Sequence, residues 1–287
     1  MQAIIFALIA HLAWGTNVFG TLTTRKIGAY KTAFWLLLLL VPIYAFFCLL
    51  YPVEIQNLTL SVFLLNVFLG IIGSLSMILY YESLRLGNPS LVNTISASYP
   101  ALVVALSIIF LKESISNLQI AAIFIITLGV ILSSFNAKDL KGGKFKISTG
   151  VLLAILTMLS WSIYYTFIKI PISQIGPAWP NLLAAIGYPV LLLAMKVRSV
   201  KTDFGDFKKA KYPIIFNAAF LGTGLIAFNY AVSQGGSVAV VTPIFASYPA
   251  LFAVISFFVF KQQLKINEIL GIITTLTGIV LLAFFSI

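Results

Sequence analysis

The stretch Ile95-Ser96-Ala97-Ser98-Tyr99-Pro100-Ala101-Leu102 decides the fold. It returns 149 residues later as Ile244-Phe245-Ala246-Ser247-Tyr248-Pro249-Ala250-Leu251, with seven of eight positions identical. Each copy sits inside a long apolar run, so each predicts a proline in mid-helix. Proline lacks an N–H and clashes with the carbonyl four residues back. The freed groups are the carbonyls of Ser96 and Phe245. In lipid such a carbonyl is tolerated only where protein or a water-filled cavity satisfies it. Interrupted helices at matching positions of two halves point to a binding site between those halves.

The wider composition agrees. Of 287 residues, 61% are hydrophobic and 9% charged, against about 25% charged in a soluble domain. That is too little charge for a water-facing surface, so the chain reads as an all-α integral membrane protein. The long apolar runs exclude a β-barrel, whose strands alternate over about ten residues. The net charge of +11 does not indicate a nucleic-acid partner. Its Lys and Arg lie in short loops, where they orient helices and meet anionic headgroups. Cys48 and His11 are the only residues of their kinds, so one chain offers neither a disulfide nor a metal site. No cofactor is expected. Met1 to Ala10 lacks a basic n-region and reads as the start of a retained helix.

Ten spans fit: 2–22, 32–51, 60–85, 88–111, 117–135, 148–170, 179–196, 212–233, 237–260 and 265–286. The repeat extends beyond the opening motif. At a shift of 149, Gly73 aligns with Gly222, Lys112 with Lys261 and Gly129 with Gly278. At a shift of 147, Trp14 aligns with Trp161 and Pro42 with Pro189. The predicted organisation is a five-helix repeat over 1–136, a connecting loop at 137–147 and a second repeat over 148–287. Five is odd, so the second repeat enters the membrane inverted, the architecture of many secondary transporters. Alternate loops hold 16 of the 18 Lys and Arg, leaving Lys112 and Lys169 on the other side. The positive-inside rule makes the heavy side cytoplasmic and puts both termini outside. The expected location is a cell membrane, with the lipid bilayer as partner; oligomeric state stays open.

Ala13-Trp14-Gly15-Thr16-Asn17, the mid-helix proline of span 4 and Leu111-Lys112-Glu113 resemble the EamA family of the drug/metabolite transporter superfamily. Ser160-Trp161-Ser162 and Tyr248-Pro249 repeat the pattern in the second half. The resemblance implies a ten-helix carrier, two inverted five-helix repeats around a central cavity, not an enzyme. Relatives export amino acids and other metabolites, or exchange nucleotide sugars and sugar phosphates. Gln262 stands where a glutamate matching Glu113 is common, and the spans hold no paired basic residues for a phosphate. Span 1 also lacks the embedded glutamate of the small multidrug relatives.

Candidate substrate-binding residues follow from helical faces. His11, Trp14 and Gly15 share one face of span 1, with Asn17 bordering it. An ionisable residue inside a membrane helix is a functional candidate, although His11 also suits a bond to a neighbouring helix. Trp161, Tyr164 and Tyr165 share a face of span 6, where aromatic rings give contact area and a polar tip. In span 4, Asn93, Ser96 and Pro100 form a stripe, matched by Thr242 and Pro249. Ser98, Tyr99, Ser247 and Tyr248 recur identically, and Tyr80 and Asn229 occupy matching positions as gate candidates, with Tyr81 and Tyr230 beside them. Glu82 and Arg85 read as a local pair, and Lys169 as a snorkelling lysine or a contact for an anionic substrate.

These readings converge on a secondary transporter of a small polar metabolite, an amino acid first. Sugars, nucleotide sugars and drugs are the alternatives within the fold. A membrane enzyme or lipid-handling protein would need an intramembrane cluster of acids or histidines, and a scaffold would have a solid core.

Overall fold

The computed structural model describes residues 1–16, 18–86, 92, 95–134, 149–260 and 265–286. Asn17, Asn93, Gln262 and the 137–147 loop lie outside the described residues. The first half contains α1 (Gln2–Gly15), α2 (Val18–Ile27), α3 (Ala29–Leu50), α4 (Leu60–Leu86), α5 (Tyr99–Phe110) and α6 (Asn117–Ser134). The second contains α7 (Thr149–Phe167), α8 (Lys169–Ile175), α9 (Trp179–Ala184), α10 (Pro189–Val197), α11 (Phe204–Ser233), α12 (Val238–Ala246), α13 (Tyr248–Phe260) and α14 (Ile266–Phe284). Among the described residues, 7 helical stretches are long and apolar enough to cross a membrane. Shorter apolar helices at Tyr99–Phe110, Asn117–Leu132 and Val238–Phe252 fall where spans 4, 5 and 9 are expected.

Both copies of the opening motif break their helix, and they break it alike. Ser98 N bonds Ile95 O at 3.1 Å and Ala101 N bonds Ser98 O at 3.2 Å. At the second copy, Ser247 N bonds Ile244 O at 3.4 Å and Ala250 N bonds Ser247 O at 3.1 Å. Tight three-residue bonds replace the four-residue ladder that proline cannot continue. The same device interrupts span 7. Pro189 cannot donate to the Ala185 carbonyl, which instead accepts from Tyr188 N at 3.0 Å across a 3-10 turn.

Some boundaries differ from the expected ones. The first span continues to Ile27, and α8 extends the sixth to Ile175. Span 8 starts at Phe204 rather than 212. A capping box accounts for this early start. Asp206 N donates to Asp203 Oδ1 at 3.0 Å, and Asp203 N donates to Asp206 Oδ2 at 3.2 Å. The added turns end where Ala210 leaves helical geometry (φ −119°, ψ 16°), just before Pro213.

The helices pair across the halves in matched fashion. α1 packs on α11, α7 on α4, and α6 on α14, while α5 crosses α12. Small residues permit the closest approaches. A methyl added at Gly129 would lie 2.4 Å from Thr275 N, and one at Gly278 would lie 2.8 Å from Ile126 N.

Hydrogen bonds join helix ends distant in sequence. Trp179 Nε1 donates to Tyr51 O at 2.9 Å, Asn229 Nδ2 to Pro177 O at 2.9 Å, and Gln119 Nε2 to Ser286 Oγ at 3.1 Å. Lys31 meets Asp206 at 3.0 Å, Trp35 Nε1 donates to Thr202 Oγ1 at 3.1 Å, and Asn267 Nδ2 donates to Leu132 O at 3.1 Å.

Candidate functional site

A narrow cavity of about 50 Å³ lies between the halves. Trp14 of α1 and Leu37, Leu40 and Tyr44 of α3 form part of its wall, with Gly70, Gly73, Ser76 and Met77 of α4. The second half supplies Trp161, Tyr164 and Tyr165 of α7, Ala184 and Tyr188 from span 7, and Leu221 and Leu225 of α11. None of these lining residues carries a charge. A smaller pocket adjoins it, sharing Trp14, Met77, Trp161 and Leu221 and adding Tyr80 and Tyr81.

Two crossed aromatic pairs back the cavity. Trp14 lies 5.5 Å from Tyr248, and Trp161 lies 5.6 Å from Tyr99. Each tryptophan comes from one half and its tyrosine from the other, and the two pairs are equivalent under the duplication. Tyr165 stacks on Tyr99 at 5.3 Å and meets Phe245 at 5.2 Å, so the clusters join. Such pairs contribute about 0.5–1.5 kcal/mol each beyond their buried area.

Few polar atoms face this space. Ser76 Oγ donates to Gly73 O at 2.7 Å within its own helix. Tyr44 and Tyr188 share a hydrogen bond, and Tyr164 OH donates to Asn181 Oδ1 at 3.4 Å. Among the described residues, Trp14 Nε1 and Asn181 Nδ2 are buried without a partner. An unpaired buried donor costs about 1–3 kcal/mol; the Cδ1–Nε1 edge of Trp14 lies against Gly224 of α11.

Of the expected site residues, Trp14, Trp161, Tyr164 and Tyr165 line the cavity, and Tyr80 lines its smaller neighbour. Tyr99 and Tyr248 stand behind the tryptophans rather than on the lining. His11 is buried, with Nδ1 2.9 Å from Ser247 Oγ. Ser247 Oγ lies 2.6 Å from Ile244 O; with its one proton on that carbonyl, it accepts from His11. This ties span 1 to the break in span 9. Ser98 is half-buried at the matching break. Asn229 ties α11 to the loop before span 7 and is buried away from the cavity lining. Glu82 and Arg85 form the expected local pair at 2.7 Å. Lys169, read as a snorkelling lysine or an anion contact, pairs with Glu113 at 2.5 Å.

Sequence reasoning missed Tyr44 and Tyr188. Tyr44 lies two residues after Pro42 and Tyr188 lies just before Pro189, the prolines aligned by the duplication. That neighbourhood was the available signal.

Apolar helices around an aromatic cavity define a multi-pass membrane protein. The EamA-like transporter family model matches residues 1–135 and 148–284. The chain belongs to that family and is a membrane transporter of the drug/metabolite type. It is 32% identical, over 141 residues, to an uncharacterized protein of Methanocaldococcus jannaschii, a match spanning 47% of this chain and 97% of that relative. A solved crystal structure superposes with a TM-score of 0.79, covering 99% of this chain and 97% of that one. At 14% identity this likeness shows the fold alone.

Proposed function

We propose that the protein is a secondary transporter that binds a small neutral or zwitterionic metabolite, an amino acid first, between Trp14 and Trp161. The single observation behind this reading is the cavity lined from both halves by aromatic groups and no fixed charge. A polyanion would meet no cation there, and burying its charge unpaired is costly. Tyrosine side chains among apolar ones suit a solute with a few polar atoms and an apolar body.

The passage is ten spans, arranged as two inverted five-helix repeats. Support comes from the matched breaks and the crossed Trp–Tyr pairs. The half-length relative fits a five-helix unit. Rocking the halves about the cavity gives alternating access. The charge bias supports a cytoplasmic face bearing Lys31 and Asp206, with both termini opposite.

Counterflow into proteoliposomes tests the reading, with amino acids, sugars and nucleotide sugars as the panel. Saturable exchange of a zwitterion or neutral solute is expected. Exchange confined to nucleotide sugars would overturn the substrate assignment, and no exchange of any solute would overturn the transport reading for this panel.

A further inference from the structure

Glu113 follows α5, and its side chain is only 4% exposed. Its carboxylate accepts from Lys169 Nζ at 2.5 Å and Ser237 Oγ at 2.6 Å. It also accepts from Val238 N at 2.9 Å and Ala239 N at 3.0 Å. Glu113 belongs to the first half; all four donors belong to the second. The amides are the free N–H groups at the start of α12, where the helix dipole also favours a negative charge. Charge-assisted bonds of this kind are roughly twice as strong as neutral ones.

The mechanical setting makes this more than a cap. All nine residues of α12 are buried. The helix runs about 13 Å from Glu113 to the break at Ser247, where His11 bonds Ser247 and Trp14 packs on Tyr248. Lys169 lies just beyond α7, which carries Trp161, Tyr164 and Tyr165. Two elements that support the cavity therefore end on one carboxylate. The turn presenting it is strained, because Lys112 has φ +55°, a conformation that costs a non-glycine residue free energy. Glu113 N still bonds back to Ser107 O at 3.2 Å.

We propose that Glu113 is a gating residue. Its carboxylate locks the end of α5 to the start of α12 and to Lys169, holds the cavity closed on that face, and must release for that face to open. The device is one-sided in sequence, since the aligned position in the second half is the uncharged Gln262. The proposal rests on the transporter reading, but its test requires no substrate.

A Ser76→Cys reporter on the cavity wall, in a Cys48→Ser background, is labelled in vesicles with a membrane-impermeant maleimide applied to one face at a time. Glu113→Gln should speed labelling about tenfold from the Glu113 face, the population shift expected when a charge-assisted closed-state bond is lost. Labelling from the other face should not rise. Lys169→Gln and Ser237→Ala each remove one partner and should give smaller increases in the same direction. They decide the matter if Glu113→Gln does not fold. Unchanged labelling in folded variants overturns the proposal, as does an equal rise from both faces, which marks general loosening. Failure here leaves the counterflow result standing, and silent counterflow leaves this result standing.

Discussion

A single methyl at Gly70 should separate two helices beside the cavity. Gly70 of α4 faces span 7, and a Cβ built there would lie 1.8 Å from Ala184 O and 2.9 Å from Ala184 Cα. Carbon–oxygen contacts normally sit near 3.3–3.6 Å, so the backbones must part by roughly 1.5 Å. The obstacle is backbone, not a flexible side chain, so the strain cannot relax by rotamer change. Overpacking of this kind costs about 1–3 kcal/mol. Gly73, one turn further along the same helix, is the control. A methyl there would lie 3.4 Å from Tyr164 Cε2, an ordinary contact. Alanine also gains about 0.5–1 kcal/mol over glycine in a helix interior. Gly70→Ala should therefore lower the apparent Tm in detergent by several degrees, while Gly73→Ala leaves it level or raises it. Equal behaviour of the two variants would refute the close crossing of α4 and span 7.

Three further outcomes follow from named contacts. Lys112→Gly should stabilise the protein by about 1 kcal/mol, because glycine occupies the left-handed region without a Cβ penalty; an unchanged or lower Tm would contradict it. Asp206→Ala should destabilise more than Lys31→Ala, because it loses the bonds from Asp203 N, Lys31 and Thr202, whereas Lys31→Ala loses one partly exposed ion pair worth under about 1 kcal/mol; thermal melts rank them. Burial opposes ionisation of Glu113, but Lys169, Ser237 and two backbone amides outweigh it and hold the carboxyl below its ordinary 4.5. A depressed folded value means this stabilisation is complete above 4.5 and is lost as pH falls through the lower folded value. Acid melts of wild type should thus show a loss below pH 4.5 that Glu113→Gln lacks.

The helix breaks were legible in the sequence because proline imposes them locally, and the duplicated Ser-Tyr-Pro motif marked both. The aromatic walls at Trp14 and Trp161 were legible because equivalent positions in the two halves carry the same large ring. Tyr44 and Tyr188 were marked only by their nearness to the aligned prolines Pro42 and Pro189, which does not tell a cavity-facing tyrosine from a packed one. The Glu113 clamp was hidden for a different reason. Its partners lie 56 to 126 residues away, and the sequence shows only isolated charges at loop ends. His11 shows the limit of reading a single titratable residue, because its partner Ser247 comes from the opposite half.

Tryptophan emission tests the central claim most directly. In a Trp35→Phe, Trp179→Phe background only Trp14 and Trp161 remain. Trp35 and Trp179 are bonded elsewhere, to Thr202 and to the Tyr51 carbonyl. Titrating the solute identified by counterflow should change the emission saturably, because it displaces water or fills space against both indoles. A solute that is transported with no change in emission would contradict binding between these tryptophans.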